Sequence, residues 1–418
     1  MKSIFILVIF LNFGNLSYSQ VVDSPCSYEA TIQRHLKLNQ DAESELNQTE
    51  LELQKIIKEL KKSSGKSSIT TFVIPVVMHV FHYGEDGKMD MDQALSGLEI
   101  LNNDFNGLND GWKTIDEEFD SIKGALDITF CLARIDPEGN PTSGLIYYED
   151  EDALYNQGDL FQYAWDNYKY LNIYFPKYSQ GMPSNFTAYA YFPSTFNTNA
   201  NLDGVFYSSI RWGYGNHSEL EEGDDWASVC SHEAGHWLNL YHTFTGGCIG
   251  SGDFVDDTPP TQGSGIELEG CYNNDLSCNV TTNGENFMDY NHRCKKMFSL
   301  GQIERMTAAL NLPSRINLWS PENLIETGCI DKNTANEEIS LKNDFLVYPN
   351  PASNHVNFRI GDYPAKLNIF NIQGQLIKSY FLESNENQID ANGFNGGVYF
   401  FSIITEGNIK KGKFIINK

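Results

Sequence analysis

The stretch HEAGHWLNLYH, residues 232–242, constrains the fold more than any other part of the chain. Residues four apart lie on one face of an α-helix, so His232 and His236 can direct their imidazoles at a single metal ion. If that helix continued, His242 would lie about 9 Å further along the axis, too far to share metal bonds of about 2 Å. The helix must therefore end after His236, and the chain must turn back.

Position 239 is where this turn is expected, because the extended pattern H-E-x-x-H-x-x-G-x-x-H has glycine there. This chain has Asn239 instead. A sharp helix exit uses a left-handed backbone, which glycine adopts freely and which costs other residues about 1 to 2 kcal/mol. Asparagine is the usual second choice, because its short amide can bond locally. We therefore expect Asn239 to form the turn.

The chemistry follows from the ligand set. Three histidines leave one zinc position open for water, which is typical of a catalytic rather than a structural site. Glu233 lies beside the first histidine, where it can accept a proton from that water and pass it to a departing amine. The pattern predicts one catalytic zinc ion and the hydrolysis of peptide bonds in protein or peptide substrates.

Charge and the N-terminus limit the other partners. The formal net charge of -26 repels phosphate backbones and anionic lipid, so we expect no nucleic-acid partner. Residues 1–19 have the basic start, apolar core and small-residue cleavage site of a signal peptide. That core is too short to cross a bilayer and no later apolar run is long enough to do so, so we expect no transmembrane segment. Export also permits disulfides.

Changes in sequence texture predict the domain organisation. Residues 20–70 are polar with a helical stripe, which predicts a removable propeptide; a solvated helix that caps the next domain is the alternative. Strands and helices mix in residues 71–328, a linker follows at 329–342, and short alternating strands occupy 343–418. We predict an α+β catalytic domain with a mixed sheet, followed by a small all-β sandwich.

Several segments resemble one known family. HEAGHWLNLYHTF, GGCIGSGDFVDDTPP and NFMDYNHRCKKMFSLGQIERM are similar to the pappalysin and cytophagalysin family of metzincin metalloproteases. The resemblance implies a metzincin-like fold, with a zinc-binding active-site helix and a loop-rich C-terminal subdomain that contains a Met-turn. It also implies that His232, His236 and His242 bind zinc and that Glu233 is the general base.

The same resemblance gives roles to further residues. Met288 would form the Met-turn, an apolar floor under the imidazoles, and Tyr290 would lie near the metal and stabilise the oxyanion. From sequence alone, both could equally be packed in a core. An Asp-rich loop would bind a structural calcium ion through hard oxygen ligands, although such a loop could also be merely solvated. The candidate calcium ligands are Asp253, Asp256, Asp257 and Thr258.

The cysteines and two loop residues complete the implied site. Two disulfides follow from the resemblance, Cys248–Cys278 and Cys271–Cys294, whereas spacing alone permits three pairings of these four cysteines. Cys131 and Cys329 have no assignment, and Cys230 is expected to be a buried free thiol. Cys26, in the predicted propeptide, could occupy the open zinc position and keep a zymogen latent. His292 and Arg293 would line the S1′ pocket and favour acidic substrate side chains.

The C-terminal residues resemble a second family. VYPNPASNHVNF, LNIFNIQGQLI, GGVYFFSI and KGKFIINK are similar to the type IX secretion sorting domain of Gram-negative bacteria. This implies export through the periplasm, contact with the type IX secretion machinery, and an extracellular or cell-surface location. A β-sandwich that binds carbohydrate or packs on the catalytic domain is the alternative.

The sequence thus predicts a secreted zinc endopeptidase made as a precursor. Two other functions remain open. One is an inactive metzincin-like protein that holds zinc and binds a partner, for which Asn239 is the only support. The other is a zinc amidase that acts on cell-wall peptide.

Overall fold

The computed structural model describes residues 42–417 except 64–70, 156–158, 178–187, 222, 224, 250–251, 264–275, 292–293, 331–344, 349–351, 361–363, 372–374, 385 and 406–407. The chain divides into two units, Met1–Ala335 and Asn336–Lys418. Within the described ranges, none of the helices has both the length and the hydropathy that a bilayer span requires.

The first unit contains helices and strands in alternation. Its α-helices are α1 (Ala42–Ser63), α2 (Met91–Phe105), α3 (Glu117–Asp120), α4 (Glu151–Leu154), α5 (Thr195–Asn199), α6 (Val229–Trp237), α7 (Leu300–Leu310) and α8 (Pro321–Glu326). Short 3-10 helices occupy Asp110–Thr114, Leu160–Tyr163, Ser209–Arg211 and Asp225–Ser228. Its strands are β1 (Phe72–His82), β2 (Lys123–Gly124), β3 (Ile128–Leu132), β4 (Leu145–Glu149), β5 (Leu171–Phe175), β6 (Ala188–Ala190), β7 (Val205–Tyr207), β8 (Leu276–Ser277), β9 (Val280–Thr281) and β10 (Phe298–Ser299).

A six-stranded mixed sheet forms the centre of this unit, in the order β3-β1-β5-β7-β6. β4 pairs with β1 as well, beyond the part of β1 that pairs with β3. All of these neighbours are parallel except β6, which is antiparallel to β7 at the edge. β1 is buried along almost its whole length, which explains why it reads as a continuous apolar run rather than an alternating one. The smaller pairs are β10 with β2 and β8 with β9.

Helices α2, α6 and α7 contribute to the main core around this sheet. α2 is capped by Asp90, whose side chain accepts a hydrogen bond from Gln93 N, and its apolar stripe packs into the core through Leu98 and Leu101. α6 is buried at every position. A fully buried helix that carries two histidines and a glutamate needs partners for those polar groups, because unpaired buried polar groups are unfavourable.

Helix α1 lies in the segment predicted to be a propeptide. Leu53 and Ile57 are buried against Ala308, Ala309 and Leu312 at the end of α7. Lys61 also forms an ion pair with Glu304 of α7, at 2.9 Å. The stripe read from the sequence is therefore a packing face, and whether the segment is removed stays a prediction.

A disulfide that the sequence left unassigned closes the first unit. Cys131 of β3 is bonded to Cys329 across 198 positions of sequence. The predicted linker begins at Cys329, but this bond ties that residue to the central sheet.

The second unit contains strands only, among its described residues. They are β11 (Phe345–Tyr348), β12 (His355–Ile360), β13 (Ala365–Phe370), β14 (Leu376–Leu382), β15 (Glu386–Asp390), β16 (Gly397–Thr405) and β17 (Asn408–Ile416). They form two antiparallel sheets, β11-β12-β15 and β14-β13-β16-β17. The Phe358 ring of the first sheet lies 5.2 Å from that of Phe401 and 5.8 Å from that of Phe414. The predictions of a domain that combines helices with a mixed sheet and of an all-β C-terminal region are both confirmed.

Candidate metal centre and active site

The structure brings the three histidines of the HEAGHWLNLYH stretch together. Nε2 of His242 lies 3.1 Å from Nε2 of His232 and 3.1 Å from Nε2 of His236. All three side chains are buried. Among the described residues, this is the single group of three or more His, Cys, Asp or Glu side chains whose ligand atoms lie within 4.8 Å of one another.

Hydrogen bonds and burial prepare these rings for a cation. His232 Nδ1 bonds the carbonyl of Phe287 and His236 Nδ1 bonds that of Leu240, each at 2.7 Å. Since a carbonyl only accepts, each Nδ1 carries the proton and each Nε2 presents a lone pair. Burial, followed by the neighbouring positive groups, holds the pKa of His232 and His236 well below the ordinary histidine value. Neutral imidazoles whose lone pairs converge fit a zinc ion.

The turn after α6 has the geometry that the spacing requires. Asn239 has φ +72°, in the left-handed region. Asn239 N donates to His236 O and Leu240 N donates to Gly235 O, both at 2.9 Å. This pair of bonds is the Schellman motif that ends helices at a left-handed residue. The turn also places the Leu240 carbonyl against the His236 ring.

Two buried arginines, which the sequence did not single out, bind the end of α6. Arg305 donates from Nε to Asn239 O at 2.8 Å and from Nη2 to Asn239 Oδ1 at 2.5 Å. Arg315 lies over the Trp237 ring, 4.2 Å from its centroid, and forms a buried ion pair with Asp203. Positive charge at the C-terminal end of a helix is favourable, because the carbonyls there are partly negative. Arg305 is part of the GQIERM segment, and nothing in the sequence indicates which residues either arginine contacts.

The side chain of Met288 packs against Gly235 of the active-site helix α6. The side chain is fully buried, and a Cβ built on Gly235 would lie 2.5 Å from its Sδ. The segment around it is fixed at both ends, since Lys295 Nζ donates to Phe287 O at 2.7 Å and to Asp289 O at 2.5 Å. This placement suits an apolar floor under the imidazoles, and the Met-turn role stays a prediction.

Glu233 and Tyr290 both lie at the histidine cluster. Glu233 is fully buried, within α6 and directly after His232. The half-buried ring of Tyr290 lies 4.7 Å from the His242 ring and 6.0 Å from the His232 ring. Their catalytic roles are predictions that these positions allow.

The Asp-rich loop does not gather its carboxylates in one place. Asp253 accepts hydrogen bonds from Thr258 Oγ1 at 2.8 and 2.9 Å, and burial raises its pKa to about 6. Asp257 instead accepts from Ser299 Oγ and Gly301 N at the start of α7, at 2.5 and 2.9 Å, which stabilises that helix end. Asp256 is exposed. A calcium ion at this loop stays a prediction.

Some of the remaining predicted site residues lie within the described residues, and others lie outside them. Cys248 and Cys278 form a disulfide, the pairing that the resemblance implies. Cys294 is disulfide-bonded, while its expected partner Cys271 lies outside the described residues. Cys230 is free and buried, and burial raises the pKa of its thiol. Three others also lie outside the described residues: Cys26, His292 and Arg293.

Comparison with known proteins finds relatives for both units. The peptidase family described as pregnancy-associated plasma protein-A matches residues 154–311, and the secretion system C-terminal sorting domain matches residues 346–417. An extracellular metalloprotease of Pyricularia oryzae is 37% identical over 34% of this chain, and one of Sordaria macrospora is 35% identical over 34%. These matches cover 48% and 49% of the fungal proteins, so the chain spans about half the length of these curated relatives.

Solved structures match over a longer part of the chain. Mature mirolysin of Tannerella forsythia, in complex with a cleaved peptide, is 28% identical with a TM-score of 0.50, over 62% of this chain and 98% of its own. A promirolysin variant from the same organism is 25% identical with a TM-score of 0.57, over 70% of this chain and 96% of its own. The family matches, the mirolysin fold and the histidine cluster agree: residues 154–311 are similar to a metalloprotease domain of the pappalysin family, and residues 346–417 are similar to a secretion system C-terminal sorting domain.

Proposed function

We propose that the protein is an exported zinc endopeptidase that hydrolyses peptide bonds with water, and that Glu233 is its general base. The observation that carries the proposal is the convergence of three buried imidazoles, with the buried Glu233 directly after His232 in α6. Mature mirolysin, whose structure contains a cleaved peptide, supports a peptide substrate here.

Each group of this site has a defined task in the proposed mechanism. A zinc ion held by His232, His236 and His242 would supply a Lewis acid that polarises the scissile carbonyl and acidifies a water molecule. The Glu233 carboxylate accepts the proton of the attacking water and returns it to the leaving amine. Tyr290, whose ring packs against the His242 ring, donates a hydrogen bond from its hydroxyl to the developing oxyanion. Met288 keeps the floor of the site apolar and packed.

The test is cleavage of a denatured protein by the full chain, before and after limited proteolysis that removes the N-terminal segment. We expect wild-type protein to bind one zinc ion per chain and to lose cleavage with a chelator. The near-isosteric Glu233→Gln should still bind zinc but cleave about 10² to 10⁴ times more slowly, the usual contribution of a general base. Glu118→Gln, at an exposed glutamate on α3, is the matched control and should cleave normally.

The outcomes also separate the alternatives. Equal cleavage by Glu233→Gln and wild type would refute the assignment of the base. Stoichiometric zinc without cleavage of any polypeptide would favour the inactive binding protein. Release of amide-linked fragments from cell-wall peptide, with denatured protein left intact, would favour the amidase.

The C-terminal unit supports secretion or display at the cell surface. Its match to a secretion sorting domain and the extracellular location of the fungal relatives agree on this point. We propose that the type IX machinery recognises this unit after export through the periplasm of a Gram-negative cell. We also propose that residues 20–70 form the propeptide of a zymogen.

A further inference from the structure

We propose that Arg305 is a positioning residue of the metal centre and that, in the full chain, Glu50 from helix α1 of the proposed propeptide holds it in place. Together they fix the left-handed turn at Asn239 and thereby the third histidine. The proposal rests on the zinc site described above. It joins the N-terminal helix to the active site through one ion pair.

The guanidinium of Arg305 is engaged on both sides. It is 1% exposed and bonds both oxygens of Glu50, from Nη1 at 3.1 Å and from Nη2 at 2.6 Å. Its Nε and Nη2 bond the backbone carbonyl and the side-chain oxygen of Asn239. A planar guanidinium has its donors in a fixed fork, so holding one edge on Glu50 fixes where the other donors point.

The residue thus held is the one on which the site geometry depends. Asn239 is the left-handed residue of the Schellman turn, and its neighbour Leu240 supplies the carbonyl that orients His236. His242 follows three residues after Asn239 and completes the cluster. Asn239 is buried, so without Arg305 its carbonyl and amide oxygens would lose the partner they have here, which is unfavourable for buried acceptors.

The second arginine shows why the link to α1 is specific. Arg315 binds the same end of α6, but its counter-ion Asp203 lies outside helix α1, between α5 and β7, and is fully buried with it. The counter-ion of Arg305 comes from a helix 255 positions away in sequence. Burial alone would raise the pKa of Glu50, but the hydrogen bonds and charge of Arg305 outweigh it, and the pKa is lowered. Glu50 is therefore ionised at neutral pH and available as the counter-ion.

Other contacts of α1 avoid the turn and provide controls. Glu45 accepts hydrogen bonds from Ser194 Oγ and from Phe196 N at the start of α5. Lys61 pairs with Glu304. A variant at either position loosens α1 from the domain without removing a partner of Arg305. The contacts from Glu50 through Arg305 to Asn239, here called the relay, therefore predict different outcomes for variants of Glu50 and of Glu45.

The experiment measures the zinc dissociation constant of the full chain by chelator competition, and hydrogen exchange of the amides at 240–243 in metal-free protein. We expect Arg305→Met to weaken zinc binding about tenfold or more, the usual effect of losing a group that orients a metal ligand. Glu50→Gln should weaken it less, and Arg305→Lys should lie between Arg305→Met and wild type. Glu45→Gln should bind zinc as wild type does. In metal-free protein, the Arg305 and Glu50 variants should exchange faster at 240–243.

The outcomes keep the relay and the zinc site distinguishable. His242→Gln should weaken zinc binding in any case. If it does so while Arg305→Met and Glu50→Gln bind zinc as wild type does, the zinc site stands and the relay is wrong. If His242→Gln leaves zinc binding intact, the zinc site itself is wrong and the relay is wrong with it. Should Arg305→Met fail to fold, the milder Glu50→Gln and Arg305→Lys decide.

Discussion

Gly235 lies within α6 between the two ligating histidines, and its replacement by alanine tests how tightly the floor of the site is packed. Glycine to alanine within a helix normally stabilises a protein by about 0.5 to 1 kcal/mol. Here the new Cβ would lie 2.5 Å from Met288 Sδ, 3.4 Å from Met288 Cε and 3.5 Å from Leu240 Cδ1. Met288 is fully buried in the main core, so it cannot withdraw without displacing other side chains.

The expected sign of Gly235→Ala is therefore reversed. Overpacking a well-filled core costs about 1 to 3 kcal/mol, which outweighs the helix gain and leaves a net loss of about 1 to 2 kcal/mol. The assay is urea unfolding of the metal-free protein, followed by tryptophan fluorescence. All six tryptophans lie in the first unit, so the signal reports on that unit alone.

A double variant checks the cause. Met288→Ala alone should cost about 2 to 5 kcal/mol, because it leaves a cavity. In Gly235→Ala/Met288→Ala the new methyl group enters the vacated space, so the double variant should lose less than the sum of the two single losses. A Gly235→Ala protein as stable as wild type, or strictly additive losses, would show that Met288 does not press on this helix as the structure indicates.

Two further predictions concern the turn and a buried carboxyl group. Asn239→Gly should keep zinc binding and peptide cleavage, since glycine adopts φ +72° freely. The β-branched Asn239→Val should instead lose the third ligand and weaken zinc binding about tenfold or more. A valine variant that binds zinc normally in chelator competition would contradict this. Burial raises the pKa of Asp104 to about 7, against the opposing effects of Ser231, Ser228 and Lys295. The unfolded chain thus releases this proton first, and the free energy of unfolding should fall by about 3 kcal/mol as pH rises from 4 to 7. Asp104→Asn should remove that fall in urea unfolding at the two pH values, and a variant that keeps it would locate the pH dependence elsewhere.

The sequence by itself determined the local geometry of the site. Spacing of three and four residues along a helix is fixed by its period, so His232 and His236 had to share a face. The reach of a metal bond then required a turn before His242, and the left-handed preference of asparagine identified Asn239 as that turn. The strands of both units could also be predicted from the sequence, because β1 and the C-terminal strands carry the apolar patterns of buried and half-buried sheets.

Only the tertiary structure decided the contacts between distant parts of the chain. Cys131 and Cys329 are 198 positions apart, and Glu50 reaches Arg305 across 255. Nothing in local periodicity states which buried arginine meets which carboxylate, because that depends on how whole helices and sheets pack. Asn239, the residue that departs from the extended zinc-binding pattern, illustrates the difference between what the sequence and the tertiary structure show. The sequence explained why Asn239 can adopt the left-handed conformation of the turn. The fold shows that its amide oxygen also accepts a hydrogen bond from Arg305, a bond that glycine could not make.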